Sequence, residues 1–181
     1  MEISELIPVR YTVLGTIDGV VAVLAIILGV AAISTDKSVV IAAGLSGSIG
    51  LGISNGIGGF LAEHTVEMKK LRDIEDAMLR KKGDMDGTII HRKVQKKLYY
   101  DTITHGGCSF GGAIVPVSPF FFDLSIGDAT IASVVISLSV LFLLGIYMGI
   151  MTKENLILTG VKMLVIGVIV AIVVSFIEQF L

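Results

Sequence analysis

The chain has 181 residues, of which 54% are Ala, Val, Ile, Leu, Met, Phe, Trp, Tyr or Cys and 17% are charged, with a mean hydropathy of +0.89. This balance excludes a soluble globular domain and specifies an integral membrane protein. The single cysteine, Cys108, excludes an intrachain disulfide and a cysteine-based zinc site, and the net charge of −2 hides an uneven distribution of basic residues.

A spanning helix needs roughly 20 mostly apolar residues, and five stretches qualify: 11–33, 38–62, 98–122, 129–151 and 156–181. No short basic leader with a small-residue cleavage site precedes the first, so it reads as a retained span. The expected fold is all-α, a polytopic bundle of five transmembrane helices. Span one carries Asp18 between Thr16-Ile17 and Gly19, about 10 Å from Tyr11 at 1.5 Å per residue. A carboxylate there costs on the order of 2.5 to 3.5 kcal/mol and is expected to face the bundle interior as a functional group. The competing reading is a carboxylate near enough to the interface to be hydrated.

Span two reads "AAGLSGSIGLGISNGIGGFLA". Ser48, Gly52 and Gly56 repeat at four-residue spacing, a face that lets backbones approach closely in lipid, where packing drives association. This predicts a central or dimer-facing position for span two, with Gly15 and Gly19 of span one packing against it. Asn55 is its polar side chain best placed to face an internal path.

The segment 64–97 is a polar excursion that holds Lys69, Lys70, Arg72, Arg80, Lys81, Lys82, Arg92, Lys93, Lys96 and Lys97, most of the chain's 14 basic residues. The positive-inside rule places it in the cytoplasm, which puts the N-terminus inside and, with five spans, the C-terminus outside. "AEHTVEMKKLRDIEDAMLRKK" extends span two as a helix, pairing Glu67 with Lys70 and Arg72 with Glu75 or Asp76. Gly83 is its expected C-cap and "GDMDG" the turn, so the excursion reads as a short cytoplasmic helical hairpin, dividing the chain into 1–63, 64–97 and 98–181. Glu63, His64, Glu67, Glu75 and Met78 are candidate metal ligands: carboxylates, an imidazole and a thioether suit Fe(II) or Mn(II) better than Mg or Ca. The competing reading is the ordinary composition of an amphipathic helix. Asp101 and His105, four residues apart at the head of span three, are expected to hydrogen-bond each other, with His105 a candidate for the transport path.

In span three, "FGGAIVPVSPFFF" places Pro116 and Pro119 where each removes a backbone donor, leaving the carbonyls of Gly112 and Val115 free. Such backbone is tolerated only against protein or a water-lined cavity, so these prolines mark a gate or path wall. The alternative is a kinked helix ending in an interfacial belt, Phe120 to Phe122.

Together these motifs resemble the vacuolar iron transporter family. "GTIDGVVAVLAIILGVA" is similar to its first-span Gly-x-x-Asp-Gly signature, "GISNGIGGFLAEHTVE" to its second-span end, and "FGGAIVPVSPFFF" to its third-span Gly-Gly-x-x-Pro-x-x-Pro pattern. The resemblance implies a homodimer that exports divalent metal ions, Fe(II) or Mn(II), by proton antiport along a path at the two-fold axis, with Asp18 as ion and proton ligand. It implies metal ions, protons, lipid and a second copy as partners, and no permanently bound cofactor. The family's second-span acid, methionine and glutamate match Leu51, Asn55 and Gly59 here, and its three-helix metal-collecting domain is cut to a hairpin. Those losses support an alternative, a non-transporting membrane metal sensor or scaffold of the same descent. The cell membrane is the expected location. No catalytic grouping or phosphate loop suggests an enzyme, and the basic segment lacks the aromatic interleaving of a nucleic-acid binder.

Overall fold

The structure is a computed structural model that describes residues 9–178; the expected end of the last span at Leu181 lies outside them. Five α-helices follow in order: α1 (Val9–Ile33), α2 (Lys37–Ala77), α3 (Ile89–Val117), α4 (Ile126–Thr152) and α5 (Leu156–Glu178), with a 3-10 turn, Ser118–Phe121, after α3. No strand occurs among the described residues. By length and composition α1, α2, α4 and α5 can each cross a membrane. The expectation of five spans is thus met by four helices. α3 falls short because, beyond its basic first turns, Asp101, His105, the tyrosines, threonines and glycines of residues 99–112 dilute its apolar character.

Local chemistry sets the helix starts. Asp36 accepts from the Ser38 amide at 2.8 Å, Thr88 from the His91 amide at 3.3 Å, and Ser125 from the Asp128 amide at 3.1 Å. Each side-chain oxygen satisfies one of the donors a helix leaves unpaired at its N-terminus. The Lys37 ammonium donates to the Phe122 carbonyl at 3.1 Å, so the α1–α2 and α3–α4 connections meet at one end of the bundle. Just inside that end Val23, Ile27, Val40, Ala113, Val117, Phe120 and Ala129 form the apolar core.

α2 has 41 residues and is about 62 Å long, twice what a bilayer's hydrocarbon requires. It ends earlier than expected. Met78, not Gly83, is its C-cap, and Leu79 adopts a left-handed φ of 53°. Gly83, at φ 100°, instead serves the turn that leads into α3. α3 then returns antiparallel along α2, as the pairing of Lys97 with Glu67 and of Gly106 with Gly52 requires.

The close neighbour of Gly15 and Gly19 is α3, not span two. A methyl group at Gly19 would lie 2.1 Å from the Ser109 carbonyl oxygen, and one at Gly112 would lie 2.6 Å from the Thr16 carbonyl oxygen. α3 therefore takes the central position expected of α2: it lies against α1 through Gly112 and against α2 through Gly106. Beside this contact the flank of α2 remains open, with Ile49, Ile53 and Ile57 exposed.

Pro116 lies inside α3 and is buried, and its carbonyl accepts from Ser133 of α4 at 2.6 Å. Pro119 is the second residue of the 3-10 turn, where its missing N–H is not needed. The Val115 carbonyl is consequently not free as expected: it accepts from the backbone N–H and the hydroxyl of Ser118. The aromatic run is also split. Phe120 turns into the core while Phe121 and Phe122 stay exposed.

The α1–α3 approach yields a direct test. Gly19→Val is expected to lower stability by about 1 to 3 kcal/mol, the usual cost of overpacking, seen as a reduced melting temperature in detergent. Gly29→Ala, which meets nothing within 4 Å, is expected to leave it unchanged.

Candidate functional site

Where α1 and α3 touch, the side chains flanking the glycine contact are polar. Asp18 of α1, Asn55 of α2 and Ser109 of α3 meet: the Asn55 amide donates to Ser109 Oγ at 2.9 Å and to Asp18 Oδ2 at 3.4 Å. Ser109 in turn donates to the His105 carbonyl at 2.8 Å, one turn back along α3. His105 Nε2 stands 4.0 Å from Asp18 Oδ2, and the Asp18 side chain is 43% exposed. The three path residues expected from the sequence, Asp18, Asn55 and His105, are thus brought together, and Asp18 keeps an open side.

The expected hydrogen bond between Asp101 and His105 is not made. Asp101 Oδ2 and both His105 ring nitrogens are buried without a hydrogen-bond partner. A turn of helix brings their backbones into neighbouring positions, but the His105 ring instead stacks beside Tyr11, with centroids 5.3 Å apart. Gly59 makes room for it, since a methyl group there would lie 2.8 Å from His105 Nδ1.

Beyond His105 a cleft of about 610 Å³ opens between α1, α2 and α3. Its acids are Glu63 and Glu67. Glu63 accepts a hydrogen bond from the Tyr11 hydroxyl and faces Arg10 at 3.6 Å. Glu67 is only 8% exposed, and its Oε1 receives both Lys97 at 2.9 Å and Lys70 at 3.0 Å. The hydrogen bond from Lys97, reinforced by Lys70 and opposed by burial, holds the Glu67 carboxyl below the usual carboxylate range.

The other candidate ligands lie apart from this cleft. His64 is exposed beside the Phe60 ring, 5.6 Å away, and Met78 is exposed at the end of α2. Glu75 is fully enclosed in the α2–α3 connection, where it accepts from the Met85 amide at 2.8 Å, the Gly83 amide at 3.1 Å and Arg72 at 2.9 Å. Its lone pairs are committed to closing the turn. Gly52 and Gly56 pack against Gly106 of α3. Among the described residues no three His, Cys, Asp or Glu side chains converge as a metal cage.

Four participants are not singled out by the sequence: Ser109, Tyr11, Arg10 and Lys97. Ser109 stands four residues after His105, and Tyr11 seven before Asp18, so each shares its partner's helix face. That spacing is the signal the sequence carries for them.

Comparison with known proteins extends over this whole arrangement. The family model described as VIT family matches residues 9–97 and 63–178, two matches that overlap on the end of α2, the turn and the start of α3. The chain belongs to the VIT family. This is a family of membrane metal-ion transporters, in agreement with the resemblance read from the sequence motifs. A relative within it, the uncharacterized protein MJ0645 of Methanocaldococcus jannaschii, is 36% identical over 171 residues, which cover 94% of this chain and 88% of the relative. Asp18, Asn55, Glu63, Glu67 and His105 all fall inside the matched residues.

Two outcomes follow from these contacts. Asn55→Ala removes the donor shared by Ser109 and Asp18 and is expected to cost about 1 to 2 kcal/mol, measurable as a fall in the melting temperature. The second concerns Glu75, which lies outside the membrane-spanning part of α2. Its carboxyl is pulled down to about 2 by the Met85 amide first, then by Arg72 and Gly83, against the opposing push of burial. Because the folded value is the lower one, the stabilisation is present above the ordinary carboxylate value and lost as pH falls from there toward 2. Melting temperature against pH is expected to drop through that window in the wild type, with a smaller drop in Glu75→Gln.

Proposed function

We propose that the chain exports Fe(II) or Mn(II) from the cytosol by proton antiport, as a homodimer in which Asp18 is the ion- and proton-binding carboxylate. The observation that carries this reading is the junction at Asp18: a half-exposed carboxylate beside an amide, a hydroxyl and an imidazole, on a helix made for lipid. An ionisable residue so placed marks an ion or proton path.

Charge matching supports the second copy. One Asp18 offers a single negative charge, whereas a divalent ion in a low-dielectric path needs two to be neutralised. The open side of Asp18 and the exposed isoleucines of α2 are where a partner would supply the other. Oxygen and imidazole donors together suit Fe(II) or Mn(II). In this reading α3 is the fifth span, admitted because its polar residues face α1 and α2. The segment 64–97 is a cytoplasmic hairpin between membrane units 1–63 and 98–181, the N-terminus is cytoplasmic and the C-terminus outside, and the protein resides in the cell membrane. It works without a resident cofactor and catalyses no covalent chemistry.

A second reading, a metal sensor or scaffold that does not transport, is favoured by Leu51 and Gly59, which offer no ligand beside Asn55. It requires that Fe(II), Mn(II), Co(II) and Zn(II) all fail to cross while metal still stabilises a dimer.

The deciding measurement uses proteoliposomes loaded with an Fe(II)-sensitive dye. Wild type is expected to show uptake driven by a pH gradient, and Asp18→Asn to fall to the protein-free background. Equal uptake by both proteins removes Asp18 from the mechanism.

A further inference from the structure

The cleft beyond His105 contains an unusual charge arrangement. Two ammonium groups, Lys97 at 2.9 Å and Lys70 at 3.0 Å, converge on the same oxygen of Glu67. Together they bring a charge of +2 to the place where a divalent ion would sit on that carboxylate. Their origins differ. Lys70 is three residues along the same helix and stays near Glu67 whatever α2 and α3 do. Lys97 reaches across from α3, and its side chain is 56% exposed, so its ammonium can swing into water on a flexible stem.

Glu67 itself is poorly placed for a surface ion pair. It is 8% exposed and lines the cleft together with Glu63 and His105. An independent sign that a ligand belongs here is His105, also 8% exposed, whose ring nitrogens make no hydrogen bond. Glu63, Glu67 and His105 line the one cleft without converging on a common point, so an entering divalent ion would meet each carboxylate singly. Each carboxylate is already occupied by the chain's own cations, and the imidazole is not.

We propose that Lys97 is a tethered counter-cation that competes with the incoming divalent ion for Glu67, setting the metal concentration at which the cleft fills. The exchange is simple in charge: a divalent ion enters, the Lys97 ammonium leaves Glu67 for water, and no bond is made or broken beyond coordination. Lys97 acts through Glu67 and is a positioning residue that touches no ion. The inference rests on the metal-transport reading only in taking the cleft as the approach to Asp18.

The test uses the full chain in detergent, with free Mn(II) followed by its electron paramagnetic resonance signal. Lys97→Gln is expected to bind Mn(II) about fivefold more tightly than wild type, the upper range for a half-exposed ion pair. Lys97→Arg is expected to restore wild-type affinity, and Lys97→Gln with Glu67→Gln to lose the gain. Unchanged or weaker binding by Lys97→Gln, or a gain that survives loss of Glu67, overturns the proposal. A second measurement needs no variant: saturating Mn(II) is expected to raise acylation of the Lys97 amine in the wild type, and unchanged labelling contradicts displacement. The two readings separate cleanly. Failure of pH-driven uptake with the Lys97 binding shift intact overturns transport alone, and intact uptake without the shift overturns this competition alone.

Discussion

The contact on which this structure depends is the backbone approach of α1 to α3. Gly15, Gly19 and Gly112 leave no side chain between the two helices, so the Thr16 and Ser109 carbonyls lie against the opposite backbone. In lipid no hydrophobic gain separates helix-facing from lipid-facing surface, and such shape-matched contact is what holds helices together. Its geometric consequence is chemical. With the helix axes this close, the side chains at the edge of the contact, Asp18 from one helix and His105 and Ser109 from the other, are forced into one small volume, and Asn55 of α2 closes it.

Much of this is legible in the sequence, but unevenly. Hydropathy alone locates α1, α4 and α5, because a membrane helix declares itself by composition. Asp18 and Asn55 are identifiable because a polar side chain in an apolar run is costly and is rarely kept without a role. The partner of Gly15 and Gly19 is not. A small-residue face announces that something packs closely, yet α2 and α3 are both glycine-rich and nothing in a single sequence says which one arrives. The i, i+4 spacing of Asp101 and His105 suggests a bond that the tertiary contact with Tyr11 displaces. The end of α2 is hidden for a related reason: Glu75 is held by backbone N–H groups of residues 83 and 85, and backbone donors leave no mark on the sequence. The Arg72–Glu75 and Glu67–Lys70 pairs, by contrast, depend only on helical spacing and are readable from it.

Two electrostatic conditions lie next to each other in the molecule. In the cleft, Glu63 and Glu67 are answered by Arg10, Lys70 and Lys97, and their charge is spent locally. On the wall of the same cleft, the His105 ring nitrogens have no hydrogen-bond partner, and Asp18 beside them keeps an open side. A cation entering the cleft would meet carboxylates that each already face a cation of the chain itself.

α2 spans both conditions as one unbroken helix, but its intrinsic preference for that form is not uniform along it. Between Gly44 and Gly59 seven of its residues are glycine, each costing about 1 kcal/mol of helix propensity, whereas none occurs from Phe60 to its end at Ala77. Intrinsic helix propensity is therefore high in the half that carries Glu67 and Glu75 and low in the half that carries Asn55. The stretch that brings Asn55 to Asp18 and Ser109 is thus held in helical form by its packing against α3 more than by its own sequence.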